Sequence, residues 1–419
     1  MSSAPVDFHL RLSGKELIFQ EGPVYRRNNF RSIKKVLVIG GGVTGLTTAW
    51  ALLDAGYHVT VVSEKWASIP DRITSQIAGA LWEWPPAVCG QHRNVVSLEK
   101  SKRWCMTTYR AFDELMRTLP AEEHGVRMRM ANFFFSKPLE EIPSQLCKMN
   151  EIKAASDVQG FKRDKTLITA HAVNQDAGVV DSYQHLAPVV DTDQYMMWLR
   201  STVASKGARF VTKRIHGDLL EEEDRLRLEY GVDIIVDAAA LGAAELAVDP
   251  KVYPLRGALI RVVNDGSRFP VVKEALCVSH DDTAAEDMED IVFIVPRNDN
   301  VLILGGLAQP DVNTLDLTLD SPEIVRMRKR CNDFVPGLEN AKYDETPFVQ
   351  GLRPLTDEGV RVEREPRWKK DGTASRVIHT YGHGGSGFTL SFGCAGDVLT
   401  MLRGLEVEIA NSGAVKSNL

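Results

Sequence analysis

Two glycine-rich turns hold the residues of this 419-residue chain best suited to chemistry. The first, Gly40 to Gly45, reads GGGVTG and fits G-x-G-x-x-G at Gly40, Gly42 and Gly45. Glycines there permit a tight turn and let backbone approach a pyrophosphate, while a helix opening on the turn offers free N–H groups and a positive dipole end. Glu64 follows nineteen residues after Gly45, at the end of an apolar run. A carboxylate there accepts hydrogen bonds from ribose hydroxyls and repels a 2′-phosphate, which disfavours NADP. FAD and NAD both remain open on this motif alone. The second turn, HTYGHGGSG (His379–Gly387), runs into a helix starting near Thr389. An NAD site needs only one such turn. A flavin must also be held at its pyrimidine edge, where negative charge develops on reduction and a helix N-terminus stabilises it. The plainer reading of the second turn is an ordinary helix cap.

These turns need elements to hold them. A strand, Lys35–Ile39, enters the first turn, and a helix to about Ala55 leaves it, with Val43, Leu46, Ala49 and Leu53 three and four apart. Gly56 stops that helix, and a strand, His58–Ser63, follows. Farther on come a helix over Asp193–Lys206, a strand in ARFVTKRI, a charged hairpin-like stretch at EEEDRLRLEYG (Glu221–Gly231) and an apolar strand in VDIIVDAAA. Val252 to Leu307 is β-rich. Strands alternating with helices at both ends, around a β-rich middle, predict an α/β domain interrupted by insertions. The uncharged run Val36–Leu53 is long enough to span a bilayer, but consecutive glycines and threonines break it into a strand and a helix. No membrane association is expected.

Composition narrows the classes further. Fifty basic against 56 acidic side chains give a net charge of −6, so no overall basic excess draws nucleic acid or an anionic membrane. A hydrophobic share of 44% excludes disordered and collagen-like chains. Six dispersed cysteines form no C-x-x-C pair, which argues against a metal site and suits a reducing, intracellular compartment. The N-terminus lacks the basic start and apolar core of a signal peptide.

The segment VIHTYGHGGSGFTLSFGCA resembles the signature of the D-amino-acid oxidase family of flavoenzymes. TSQIAGALW (Thr74–Trp82), QYMMWLRSTVASKGARFVTKRI, YPLRGALIRVV, IVFIVPRNDNVLILGG and GLRPLTDEGVRVERE resemble it too, in the family's order, from about Val36 to Leu402. The resemblance implies a discontinuous Rossmann-like FAD-binding domain of the glutathione-reductase type, interleaved with a β-rich substrate domain. The expected boundaries are 34–95, 196–248 and 370–419 for the FAD domain and 96–195 and 249–369 for the substrate domain, after an N-terminal extension over 1–33. Matched to the family's FAD contacts are Gly40, Gly41, Gly42, Val43, Thr44 and Gly45 at the pyrophosphate, with Glu64 and Lys65 at the ribose. Thr74, Ser75, Gly79, Ala80 and Leu81 match the segment along pyrophosphate and flavin, and Ile215 an adenine-side backbone contact. Gly384, Gly385, Ser386, Gly387, Phe388 and Thr389 match the flavin-edge turn. Ala239 and Ala240 stand where the family usually has Thr-Gly, which crowds the backbone there.

Arg353, in GLRP, matches the arginine that pairs with the substrate α-carboxylate, a task suited to a planar, permanently charged fork. Gly385 matches the residue whose carbonyl accepts from the substrate amine. Phe293 replaces a tyrosine whose hydroxyl shares that carboxylate, at a cost of about 0.5–3 kcal/mol unless another donor, such as Tyr253, substitutes. Six acids in His280–Asp290, a solvated loop or a lid, together with Glu83 at the pocket mouth, are expected to favour neutral, cationic or bulky substrates over dianions. The implied reaction removes hydride from the α-carbon of a D-amino acid or related amine, giving imine, then oxo acid and ammonia, with O2 reduced to H2O2. Two alternatives are an oxidase of N-substituted or larger amino acids and a flavin-binding protein without turnover. A homodimer is left open. The final Ser417-Asn418-Leu419 is a variant of a peroxisomal address, leaving cytoplasmic and peroxisomal locations open.

Overall fold

A computed structural model describes residues 8–14, 16–21, 34–87, 95–171, 173–278 and 291–416. His280–Asp290 and Ser417-Asn418-Leu419 lie outside the described residues. In chain order the strands are β1 (Phe8–Ser13), β2 (Glu16–Glu21), β3 (Lys35–Ile39), β4 (His58–Ser63), β5 (Val126–Phe135), β6 (Lys162–Arg163), β7 (Asp181–Val190) and β8 (Arg209–Thr212). There follow β9 (Ile234–Asp237), β10 (Val252–Val263), β11 (Ala275–Val278), β12 (Val292–Pro296), β13 (Val301–Gly305), β14 (Gln309–Pro310), β15 (Tyr343–Thr356), β16 (Arg361–Arg364) and β17 (Val377–Tyr381).

Six of them form one sheet in the order β16-β17-β9-β3-β4-β8, parallel except for the β16–β17 pair. Val36, Leu37 and Val38 on β3 are fully buried, as a strand covered on both faces requires. The chain leaves β3 for β4 on one side, while β9 flanks β3 on the other. That reversal opens a crevice beyond the strands' carboxyl ends. Arg361–Arg364, expected in the substrate domain, pairs in this sheet. A second sheet of nine strands runs β14-β10-β13-β12-β11-β5-β7-β6, with the long β15 pairing along β10.

The helix Val43–Asp54 leaves the first glycine turn and is almost wholly buried. It packs against the helix Gly387–Lys416, which in turn packs against the helix Val95–Thr118. The latter two approach so closely that a Cβ on Gly393 would lie 2.2 Å from the Trp104 backbone. Glu221–Gly231, expected as a hairpin, is instead most of a helix, Leu219–Tyr230. The Asp218 side chain caps its start through the Leu220 N–H, and Gly231 ends it at φ 62°. Leu219, Glu223 and Leu226 are its buried residues, a helical spacing hidden among charges.

The N-terminal extension contributes the β1–β2 hairpin, which covers these helices. Leu10 and Leu17 are buried, and the Phe19 ring meets Trp50 at 5.5 Å and Phe392 at 5.9 Å. The Leu10 N–H donates to Asp54 Oδ2 at 2.7 Å, which also accepts from Trp50 Nε1. Burial raises the Asp54 carboxyl above its ordinary range, although Lys206 at 2.8 Å opposes this.

Candidate active site

The crevice beyond β3 and β9 is a cavity of about 840 Å3, counted out to its mouth. Gly42, Val43 and Thr44 form one wall, Thr74, Ser75 and Gly79 another, and Gly384, Gly385, Gly387 and Phe388 a third. The glycines of the first turn are forced by space. A Cβ on Gly40 would sit 2.2 Å from the Ala238 carbonyl oxygen, and one on Gly45 2.0 Å from the Gly40 carbonyl oxygen. Gly40, Gly41 and Gly45 therefore shape the turn without lining the cavity. No side chain caps the Val43–Asp54 helix at Gly42; Ser75 Oγ accepts only the Val43 N–H, at 3.0 Å. The remaining first-turn N–H groups have no acceptor within the helix.

The Arg72–Ala80 segment is pinned from outside. Arg72 and Gln76 both grip Asp193, at 2.9 and 3.0 Å, and the Thr192 hydroxyl donates to the Gln76 carbonyl at 2.6 Å. Arg297, fully buried, donates to the Ala78 and Val190 carbonyls, both at 2.6 Å. Burial pushes its guanidinium down to about 10. None of these anchors announces itself in the sequence.

A second cavity, of about 830 Å3 on the same measure, shares Gly79, Leu259, Arg353 and Gly385 with the first. It adds Ala80, Leu81, Glu83, Phe293, Ser386 and Thr389 from the expected residues, and Phe133, Cys277 and Leu307 from outside them. The Phe293 ring packs over Gly79, where a Cβ would meet it at 2.8 Å. Arg353 sits at the junction. Its guanidinium lies flat against Gly257, where a Cβ would fall 2.1 Å from Nη1, and Nη1 donates to the Leu307 carbonyl at 3.1 Å. Among the described residues no carboxylate pairs with it. Gly257 faces Gly351 across β10 and β15. Paired glycines within strands mark a close approach, a sequence signal for this site that motif reading overlooks.

Four further expected residues line neither cavity. Glu64 and Lys65 are exposed and line an open groove that shares Ile77 with the first cavity, beside the Trp66 ring that packs over Gly41. Ile215 is buried in an apolar cluster with Val62 and Leu219 and lines neither cavity. Tyr253 packs against Leu255, Ala308 and Leu355. Glu83 lines the second cavity, but its carboxylate is held by Lys148 at 2.6 Å. The charge expected to repel dianions is therefore already neutralised.

The first cavity's walls fit a dinucleotide. Thr380 and His383 line it, and Thr380 Oγ1 and His383 Nε2 are buried with no partner among the described residues, as though facing a polar ligand. Burial drives the His383 ring down to about 4, so it faces the cavity uncharged. Ala240 takes φ +57° at the same wall, and Ala80 φ +53°. The crowding expected at Ala239–Ala240 is thus left-handed backbone at Ala240.

A parallel sheet with a glycine turn, a second helix N-terminus across the crevice and a buried polar lining define a Rossmann-like flavoprotein. Residues 35–401 match the FAD dependent oxidoreductase family, and the chain belongs to it. The D-amino-acid oxidase of Rubrobacter xylanophilus is 30% identical over 373 residues, covering 87% of this chain and 94% of that protein. In fold, the chain resembles glycine oxidase from Bacillus cereus, with TM-score 0.66, 18% identity, and 88% and 95% of the two chains covered. It also resembles L-α-glycerophosphate oxidase from Mycoplasma pneumoniae with FAD bound, with TM-score 0.65, 16% identity, and 89% and 95% covered. Among the described residues no helix is long and apolar enough to cross a membrane.

Proposed function

We propose that the protein oxidises an amino acid at its α-carbon, with the substrate in the second cavity and the cofactor in the first. The single observation behind this is Arg353, a partly buried guanidinium at the junction of the two cavities with no carboxylate partner among the described residues. An unpaired fork in an apolar site takes a carboxylate bidentately. Gly42, Val43 and Thr44 with Ser75 hold the cofactor's phosphates, and Gly384–Thr389 its flavin edge, where the helix dipole stabilises negative charge. Bound there, FAD would supply the hydride acceptor, with O2 as the terminal oxidant and H2O2 as its product. Arg353 fixes the carboxylate and the Gly385 carbonyl accepts from the amine, so orientation supplies much of the rate. Leu81, Leu259, Phe293 and Leu307 keep the reacting carbon out of bulk water. No side-chain base is needed if the amine binds neutral, and the imine then leaves and is hydrolysed by water to oxo acid and ammonia.

The test is anaerobic mixing of the purified yellow protein with D-, L- and N-alkyl amino acids. Bleaching of the flavin by D-amino acids, with oxo acid and peroxide formed in air, is the expected outcome. Bleaching by none of the panel overturns the reading.

A further inference from the structure

The wall of the second cavity carries a carboxylate, Glu83, apart from the arginine, and its surroundings define what it can read. The lining between them is apolar, with Leu81, Phe133, Leu259, Val292, Phe293 and Leu307. Glu83 is 19% exposed, whereas its partner Lys148 is 3% exposed and absent from the lining. Lys148 Nζ is held at 2.6 Å by Glu83 and at 3.0 Å by the Pro86 carbonyl. Of the titratable groups packed nearby, His185 is buried and uncharged, and Tyr183, Cys105 and Cys277 are likewise buried in their neutral forms. Lys148 therefore cancels the charge of Glu83, while the carboxylate still presents an acceptor to the cavity. Among the described residues, a cation entering beside Glu83 would find that charge already compensated, an anion would meet the carboxylate, and a purely apolar side chain would leave that acceptor unpaired.

Resting on the amino-acid oxidase reading above, we infer that Glu83, neutralised by Lys148, selects substrates whose side chain is largely apolar but ends in an uncharged hydrogen-bond donor, such as a phenol, an indole or a primary amide. Discrimination then comes from an acceptor left unsatisfied by the wrong side chain rather than from net charge.

The experiment compares kcat/KM of the FAD-loaded enzyme within matched sets: D-tyrosine against D-phenylalanine, and D-glutamine against D-norleucine, D-lysine and D-glutamate. The expected result is a preference of about fivefold or more for the donor over its apolar match, and about tenfold over both charged matches. Lys148→Met, which frees the charge of Glu83, is expected to move the preference toward D-lysine by about tenfold. The paired change Glu83→Leu with Lys148→Met removes both charges together, keeps the fold and abolishes the donor preference. Equal rates for D-tyrosine and D-phenylalanine, or D-lysine preferred by the unaltered enzyme, overturn the inference. A separate arm needs no turnover: flavin absorbance is titrated with phenylacetate and 4-hydroxyphenylacetate. Tighter binding of the hydroxylated acid supports the inference even if no amino acid is oxidised; equal binding overturns it while leaving the oxidase reading intact.

Discussion

Arg353 and its glycine neighbour set the first expectations. Arg353→Ala should leave FAD bound and cut turnover of carboxylate substrates about a hundredfold or more, read as kcat/KM with the flavin spectrum as control. Gly257→Ala should displace the same guanidinium, since the new Cβ would fall on it. Its expected signature is a rise in KM of about tenfold with FAD content unchanged; an unchanged KM would detach Arg353 from substrate binding. Ala240 gives the opposite sign. Held at φ +57° beside the cofactor cavity, it carries about 1 kcal/mol of backbone strain that Ala240→Gly relieves, so a higher thermal midpoint of the holoenzyme is expected. The residue scale was partly open to sequence reading. GLRP pointed to Arg353, and the Thr-Gly replacement pointed to crowding at Ala240. Lys148 was not legible, because its pairing with Glu83 spans sixty-five positions and no local pattern announces a lysine bound for the interior.

Among elements, β17 carries a buried group that titrates above neutral pH. His379 is buried between Asp237 on β9, at 3.0 Å, and Glu365 just past β16, at 3.2 Å. Burial alone would depress its ring, but the two carboxylates outweigh that and hold it up at about 9, against an ordinary 6.5. The raised value means the ion pairs contribute fully below about pH 6.5 and are lost as pH rises through about 9. The loss is on the order of 3 kcal/mol, visible as a thermal midpoint falling between pH 7 and 10. His379→Gln should flatten that slope; an unchanged slope would assign it to another group. Thr380 and Tyr381 follow His379 into the cofactor cavity, so FAD retention should fall over the same range. Element type was readable where apolar spacing was clean, as in the helix after the first glycine turn. It was misread at Glu221–Gly231, where charges outnumber the apolar residues and the spacing of Leu219 and Leu226 was masked.

For the whole molecule, the cavities lie where the two sheets meet, and buried charges hold the segment between them. Arg297, next after β12, reaches the carbonyls of Ala78 and Val190, and Arg261 on β10 bridges Asp344 and Asp193. Arg297→Met leaves two carbonyls without a donor and should loosen the Gly79–Leu81 loop shared by both sites. The expected result is a fall in FAD affinity and turnover together, with the unfolding midpoint lowered; loss of turnover at unchanged FAD affinity would contradict this coupling. Sequence order does not show how the two sheets meet, because contacts between distant segments leave no periodic trace.

The β1–β2 hairpin lies before residue 35, where the family match begins. A chain begun at residue 35 would bare Trp50 and Phe392 to water and strip Asp54 of the Leu10 N–H. Losing the burial of Leu10 and Leu17 alone would cost on the order of 3–6 kcal/mol. Such a truncated chain should be sticky and poorly soluble although it holds every residue assigned here to chemistry. The unit that can be cut out and expressed is thus larger than the stretch that the family match covers.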